Sequence, residues 1–345
     1  MSHEFDEGER LSGAMRTKAN DGTSASAASG FVDWFERLAL LGVWAITIAL
    51  FGWLRPDSFL TWSNFATILG SQAVIVVTAL GLIIPLTAGD YDLSIANNLT
   101  FSATVLAVLN VNLGLPIGVA IAAALAAGLL IGLVNGSFVL YFRMNSLIVT
   151  MGVGTFTHGL TLWLGDQQTI SGVSDTLVNA VIVDRFLGVP LGFYYALGLC
   201  AVLWYVLSYT AMGRRLLFVG RGREVARLSG IAVDRVRLGG FLCSGLFGAI
   251  AGVLYVGTTA AADPSSGLTF LLPAFAAAFL GATSINPGRF NPWGTLVSVY
   301  FLVTGITGLS ILGVSTFVQD LFYGGALVIA VTLSQIVRGR EERLA

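Results

Sequence analysis

Two aspartates separated by one residue are the side chains best placed for chemistry, because they interrupt an otherwise apolar stretch. Asp90 and Asp92 lie in the segment LTAGDYDLSIANN, residues 86–98. Paired carboxylates can act as a general acid and base or can hold a divalent cation. No other acid, histidine or cysteine stands near them in the sequence. The sequence therefore predicts neither a catalytic residue nor a metal site here.

The polar residues that follow allow two other roles. Aspartate is a preferred N-cap residue, so Asp92 is predicted to cap the helix that follows, with lining or hinging a solute path as a compatible second role. Asn97 and Asn98 lie three and four residues after Ser94, so each is its neighbour on the surface of that helix. Their neutral groups suit brief contacts with solute hydroxyls and equally suit hydrogen bonds between helices. Asp90 is expected to be solvated.

The composition places these residues in a polytopic membrane protein. Of the 345 residues, 55% are hydrophobic and only 11% are charged, with a mean hydropathy of +0.83. An ordinary soluble domain carries about 25% charged residues. The only lysine is Lys18, so a phosphate-binding G-x-x-x-x-G-K-[ST] loop is absent from the sequence. If ATP drives this protein, another chain must hydrolyse it, and nothing in the charge pattern points to nucleic acid.

The chain divides into a polar start and a long apolar remainder. Residues 1–30 are rich in Ser, Gly and Ala and are predicted to form a disordered cytoplasmic tail, while residues 31–345 form the membrane domain. A membrane-spanning helix needs about 20 apolar residues. Ten segments are candidates, which predicts an all-α protein of about ten transmembrane helices: 38–54, 65–86, 93–110, 114–134, 146–165, 190–209, 238–257, 268–285, 291–311 and 315–336.

The positions of the basic residues predict the orientation. If the N-terminus is cytoplasmic and the ten segments alternate, sixteen Lys and Arg residues fall on the cytoplasmic side and two, Arg55 and Arg185, fall outside. Cytoplasmic loops carry such an excess of positive charge. Both termini are therefore predicted to be cytoplasmic, although eight or twelve spans would give the same parity.

The longest predicted cytoplasmic loop, residues 210–237, holds seven arginines and two acids. Within it, the segment REVARLSG predicts a short helix that starts at Arg223 and stops at Gly230. Val225 and Leu228 share one face of this helix, and charged residues occupy the others. The loop could serve only as a positive-inside anchor, or its apolar face could dock on a partner protein.

Three ordered motifs resemble those of ABC-transporter permeases of the ribose and monosaccharide type. The segment GRRLLFVGRGREVARLSGI resembles the cytoplasmic coupling loop of that family, and TAGDYDLSIA resembles its T-x-G-G-I-D-L-S-V-G pattern. The segment FLGATSINPGRFNPWGT resembles a third, glycine-rich pattern of the family. The resemblance extends from about residue 60 to the end of the chain.

The resemblance implies an ABC importer permease fold in a bacterial inner membrane. It implies an alternating-access permease for a monosaccharide or related polyol, without cofactor in this chain, since ATP and Mg would bind a cytoplasmic ABC ATPase. A solute-binding protein outside and a second permease subunit would complete the assembly. The residues implied in coupling to the ATPase are Gly213, Arg214, Gly220, Arg223, Glu224, Val225, Ala226, Arg227, Leu228, Ser229 and Gly230. The candidates for the translocation pathway are Asp92, Ser94, Asn97, Asn98, Thr283 and Ser284.

Three alternatives remain from the sequence. A related ABC permease could carry branched-chain amino acids or nucleosides. A secondary transporter coupled to ions or protons would need essential acids or histidines within the membrane. A membrane-embedded transferase would need an Asp-rich or His-rich metal motif, and the sequence contains none.

Overall fold

The computed structural model describes residues 38–315 and 317–344, with side chains as far as Gln335, so the predicted tail of residues 1–30 lies outside the described residues. Helices dominate the described chain. The longer ones are α1 (Leu38–Leu54, as far as it is described), α3 (Trp62–Ser71), α4 (Ala73–Thr87), α5 (Ile95–Ala107), α6 (Ile117–Tyr141), α7 (Ser146–Leu164), α9 (Leu191–Tyr209), α10 (Ala211–Arg221), α12 (Val233–Thr259), α13 (Leu268–Gly281), α14 (Pro292–Ile311) and α15 (Phe317–Leu344).

Short elements occupy the connections. Three short helices are α2 (Pro56–Phe59), α8 (Asp175–Val178) and α11 (Arg223–Leu228), and π-helical turns extend α5 over Val108–Asn112 and α8 over Asn179–Val183. Two two-residue strands, β1 (Ile170–Ser171) and β4 (Ala261–Ala262), pair antiparallel, as do β2 (Arg185–Phe186) and β3 (Val189–Pro190). The strands form two small sheets: β1–β4 joins the connection after α7 to the one after α12, and β2–β3 closes the turn before α9.

Each of the ten predicted apolar segments coincides with a helix or a helix pair. Within the described residues, six helices are long and apolar enough to cross a membrane, namely α6, α7, α9, α12, α14 and the part of α15 up to Gln335. The pair α3 and α4, bent by 41°, makes a seventh if it is one span. The described part of α1 and the helix α13 are apolar but shorter. The fold is thus an all-α polytopic membrane protein.

Helix α4 lies at the centre of the molecule. All of its residues from Ala73 to Thr87 are buried, and it contacts α9, α12, α13 and α14. A helix that is apolar on all sides fits such a position, because it has no face that must meet water. Helix α12 packs along α4, α5 and α6 and joins these four helices into one group.

Small residues allow α6 and α12 to cross at close range. Gly128, Gly132 and Gly136 recur every four residues along one face of α6, and Gly245 of α12 lies against the first two. A Cβ atom on Gly128 would lie 2.5 Å from the Ala249 Cβ and 2.7 Å from the Gly245 carbonyl oxygen. Such spacing lets helix backbones approach in lipid, where packing and hydrogen bonds replace the hydrophobic effect.

Helix α4 ends at a glycine stop. Gly89 has a φ of +76°, a left-handed conformation that glycine adopts without a steric penalty. Its N–H donates to the Leu86 carbonyl, and the Asp90 N–H donates to the Pro85 carbonyl over 3.0 Å. These two bonds form a Schellman motif, which satisfies the last carbonyls of the helix and turns the chain away. The turn starts a non-helical segment, residues 88–94, that we call the connector.

Candidate functional site: the connector and the basic loop

The connector carries both aspartates, and its backbone is satisfied by side chains from other helices. The Tyr91 N–H donates to Ser146 Oγ and the Leu93 N–H donates to Thr150 Oγ1, each over 3.1 Å. The Thr150 hydroxyl also donates to the Tyr91 carbonyl. Non-helical backbone in a membrane protein is tolerated where protein groups satisfy it. Helix α7, which supplies Ser146 and Thr150, therefore holds the connector in place.

Asp90 is buried and bonded to two arginines, so the expectation that it is solvated is wrong. Arg237 of α12 donates from Nε to Oδ2 and from Nη2 to Oδ1, both over 2.7 Å. Arg223, the first residue of α11, donates from Nη2 to Oδ1 over 3.0 Å. The Asp90 side chain is 2% exposed, compared with 11% for Arg237 and 42% for Arg223. Two cations compensate this carboxylate, as a buried charge requires.

Asp92 is also buried, but it lies two residues before the N-cap of α5. That N-cap is Ser94, and Asp92 was predicted to take this position. One oxygen of Asp92 accepts from the Ser94 N–H over 3.0 Å and from the Ser94 hydroxyl over 2.6 Å. The other accepts from the Ser244 hydroxyl of α12 over 2.6 Å. Asp92 therefore organises the start of α5 and ties it to α12.

Two further polar residues extend this network between helices. Asn135 of α6 donates to Ser94 Oγ over 2.7 Å. Asn98 of α5 donates to the Gly245 carbonyl of α12 over 3.0 Å and lies 3.4 Å from the Gly128 carbonyl of α6. Asn98 therefore joins three helices. Of the two roles predicted from the sequence, solute contact and hydrogen bonding between helices, these bonds correspond to the second.

Asn97 differs from Asn98 in its surroundings. Its side chain makes no hydrogen bond within the described residues and retains a small exposed area. It lies beside Gly154 of α7, where a Cβ on that glycine would come within 2.9 Å of the Asn97 Nδ2. Among the predicted pathway residues of α5, Asn97 is the one whose amide has no hydrogen-bond partner in the described part of the chain.

The other two pathway candidates belong to a separate turn between α13 and α14. The Thr283 hydroxyl donates to the Leu280 carbonyl over 2.7 Å, and Ser284 is buried with no partner for its hydroxyl in the described part of the chain. Asn291 organises this turn. Its Nδ2 lies 3.0 Å from the Gly281 carbonyl and 3.1 Å from the Ser284 carbonyl, and its Oδ1 accepts the Gly294 N–H as the cap of α14. No described hydrogen bond joins this turn to the connector.

The arginine-rich segment of residues 210–237, which we call the basic loop, contains two helices, α10 and α11, that pack beside the connector. Helix α10 buries Gly213, Leu216 and Val219. Gly220 lies directly against the Thr87 carbonyl at the end of α4, and a Cβ atom there would overlap that oxygen. Arg223 also donates to the Gly89 carbonyl over 3.0 Å. Backbone contact and charge therefore both join the loop to the connector.

The predicted helix from Arg223 to the glycine stop is present as α11. Gly230 has a φ of +79°, and the Ile231 N–H donates to the Ala226 carbonyl over 3.0 Å, as in a Schellman motif. Ala226 is buried, whereas Val225 is 60% and Leu228 is 88% exposed. Charged and hydroxyl side chains of α11 bond within the helix: Arg227 to Glu224 over 2.9 Å and Ser229 to the Val225 carbonyl. Helix α11 thus presents an apolar surface away from the bundle.

Sequence reasoning missed the two arginine partners of Asp90. A signal was available, because the loop has five more arginines than acids while the connector has two acids and no base. The alternation of the predicted spans places both the connector and the loop on the cytoplasmic side, so their opposite charges could have suggested an ion pair between them. Among the described residues, no group of three His, Cys, Asp or Glu side chains could hold a metal. The arrangement is suited to holding the helices together.

Comparison with known proteins supplies the family. Residues 64–331 match the family model described as "Branched-chain amino acid transport system / permease component". The ribose import permease of Bacillus subtilis is 34% identical over 84% of this chain and 90% of its own length. The D-allose transport system permease of Escherichia coli is 28% identical over 93% of this chain and 98% of its own. The L-arabinose ABC transporter permease of Azospirillum brasilense is 29% identical over 93% and 94%. No solved structure matches the chain.

The family match covers most of the chain, including the connector, the basic loop and the turn between α13 and α14. The relatives match over nearly their whole lengths, so the likeness is not confined to a single motif. The apolar helices agree with a multi-pass protein of the inner membrane. The chain is therefore a member of the ABC importer permease family to which these ribose, allose and arabinose permeases belong.

Proposed function

We propose that this chain is the membrane-spanning subunit of an ATP-driven importer that carries a monosaccharide or related small polyol by alternating access. The observation that supports this most directly is the match over residues 64–331 together with relatives named for ribose, allose and arabinose. The proposed topology has ten spans with both termini in the cytoplasm, in line with the sixteen-to-two distribution of basic residues. Residues 210–237 then face the cytoplasm.

Helix α11 is the proposed docking element for a cytoplasmic ABC ATPase. Leu228 and Val225 project away from the bundle, and an exposed apolar pair in a loop rich in arginine suits insertion into a groove on a partner. The surrounding charges, including Arg214 and Arg227, would set its register. ATP and Mg bind the partner in this scheme, and this chain supplies the gate. An extracytoplasmic solute-binding protein delivers the solute to the opposite face.

The solute pathway is proposed to lie between two permease subunits, either two copies of this chain or a related pair. Asn97 contributes an amide that can donate to and accept from a hydroxyl without a fixed charge. Asp92, Ser94 and Asn98 hold the helix that carries it. A permeant must be bound weakly enough to leave, so a few neutral contacts are sufficient.

A second cargo deserves a direct comparison, because the family description names branched-chain amino acids. Zwitterionic cargo would require charged partners along the path. Both aspartates of the connector already have hydrogen-bond partners within the protein, so neither carboxylate is free to bind a cationic group. This favours a neutral polyhydroxylated solute, and competition between ribose, allose, arabinose and leucine for binding to the cognate solute-binding protein distinguishes the two classes.

The docking role is tested with the assembled complex in proteoliposomes. Leu228→Asp should abolish co-purification of the ATPase and the stimulation of ATP hydrolysis by the loaded binding protein, while membrane insertion is retained. Leu187→Asp is the matched control, because Leu187 is exposed in the turn between β2 and β3, at the other end of the bundle. Normal assembly and normal stimulation with Leu228→Asp would contradict docking through α11.

A further inference from the structure

The Asp90 carboxylate joins two parts of the chain that are far apart in sequence. Both of its oxygens are bonded to Arg237 in the second turn of α12, and one also accepts from Arg223 at the start of α11. Arg223 also donates to the Gly89 carbonyl, so its guanidinium contacts both a backbone group and a side chain of the connector. We call this group of Asp90, Arg223 and Arg237 the arginine clamp.

The clamp is the polar link between α11 and the helix bundle. Among the described side chains of α11, Arg223 alone makes a recorded polar contact outside residues 222–231, since Glu224, Arg227 and Ser229 bond within the helix. Helix α11 also packs against α10 and α12, and its Ala226 is buried. Arg223 therefore adds a direct polar link from α11 to Gly89 and Asp90.

The connector joins this contact to the start of α5. Asp92 follows Asp90 by two residues and bonds to Ser94, the N-cap of α5. The intervening Tyr91 and Leu93 are bonded through their backbone to α7, so the connector has little slack. A short bonded segment thus connects Asp90 to the first turn of α5, which carries Asn97.

The two arginines of the clamp differ in exposure and in the bonds they make to Asp90. Arg237 makes two short bonds and is nearly buried, which suits a fixed anchor on α12. Arg223 makes one bond to the carboxylate and is 42% exposed, which suits a contact that can be remade as α11 moves. A charge-assisted hydrogen bond is strong and has a preferred geometry, so it can keep Arg223 and Asp90 together when α11 shifts.

We propose that Asp90 is a positioning residue that couples movement of α11 to the start of α5 through its ion pairs with Arg223 and Arg237. The inference rests on the proposed function, because it presumes that an ATPase moves α11. It assigns a role in transmission to a buried residue outside both the proposed docking helix and the proposed solute-binding residues. Its predicted signature is loss of coupling without loss of docking.

The test uses the complete complex with its ATPase and binding protein in proteoliposomes and measures monosaccharide taken up per ATP hydrolysed. Asp90→Asn should retain ATPase co-purification and basal hydrolysis but lower this ratio at least tenfold, and Arg223→Gln should lower the ratio to the same extent. Arg223→Lys keeps the charge and should recover part of the ratio. Arg235→Gln is the matched control, since Arg235 is exposed on α12 and has no recorded polar partner in the described residues.

The outcomes separate the two proposals. If the wild-type complex shows no ATP-dependent uptake, the proposed function fails and the clamp inference fails with it. If the wild type pumps and both variants keep the wild-type ratio, only the clamp inference is overturned. Loss of co-purification in Arg223→Gln would also overturn it, because the arginine would then serve docking. If Asp90→Asn yields no assembled complex, the more exposed Arg223→Gln decides the question.

Discussion

Replacing Gly128 by alanine tests the close crossing of α6 and α12 that holds the connector network together. The new Cβ would lie 2.5 Å from the Ala249 Cβ and 2.7 Å from the Gly245 carbonyl oxygen. Carbon atoms in ordinary contact are about 3.5–4.0 Å apart, so the two helices must separate locally by about 1 Å. The separation stretches the bond from Asn98 to the Gly245 carbonyl, now 3.0 Å.

The expected cost follows from three contributions. Overpacking a close contact costs about 1–3 kcal/mol. Weakening one buried hydrogen bond adds about 1 kcal/mol. Alanine gains about 0.5–1 kcal/mol over glycine in a helix interior, which offsets part of this. The net effect is a destabilisation of about 1–3 kcal/mol, or a few degrees in thermal midpoint.

Thermal unfolding of the detergent-solubilised permease, followed by size-exclusion chromatography after heating, measures the effect. Gly118→Ala on the same helix is the matched control, because no atom lies within 4 Å of its added Cβ, and it should leave the midpoint unchanged or raise it. Adding Ala249→Gly to Gly128→Ala removes one of the two overlaps and should restore part of the loss. A midpoint for Gly128→Ala equal to that of Gly118→Ala would refute the close crossing.

Two further substitutions test the polar contacts of the site by the same unfolding measurement. Ser244→Ala removes a donor to Asp92 and leaves a buried carboxyl oxygen unpaired, which should cost about 1–3 kcal/mol; the exposed Ser208→Ala should have no effect, and equal midpoints would contradict the pairing. Asn291→Ala removes the cap of α14 and the bonds to the preceding turn and should cost at least about 1 kcal/mol. Asn291→Ser keeps a cap acceptor for Gly294 and should lose less, so a larger loss with serine would refute the capping role.

Local features of the fold were predictable from the sequence. The apolar segments gave the positions of the helices, and the REVARLSG pattern with Gly230 gave the extent of α11 and its stop. These features depend on residues a few positions apart, for which periodicity and capping rules suffice. The same local reasoning placed Val225 and Leu228 on one face of α11, and the structure leaves both exposed.

Contacts between distant segments could not be predicted in the same way. The partners of Asp90 lie 133 and 147 residues further along the chain, and the partner of Asp92 on α12 lies 152 residues away. No local pattern selects Arg223 and Arg237 from the seven arginines of the loop. The N-cap of α5 was misplaced by two residues because Asp92 bonds to Ser94 across a turn rather than capping the helix itself.

The central claim is that the energy for transport comes from a partner that acts through α11. The most direct measurement is accumulation of a labelled monosaccharide against its gradient by proteoliposomes, with and without the ATPase, binding protein and ATP. The complete assembly should accumulate the solute only when ATP is hydrolysed, and the permease alone should show no uphill uptake. Uphill accumulation by the permease alone, in vesicles that hold no other protein, would contradict the account.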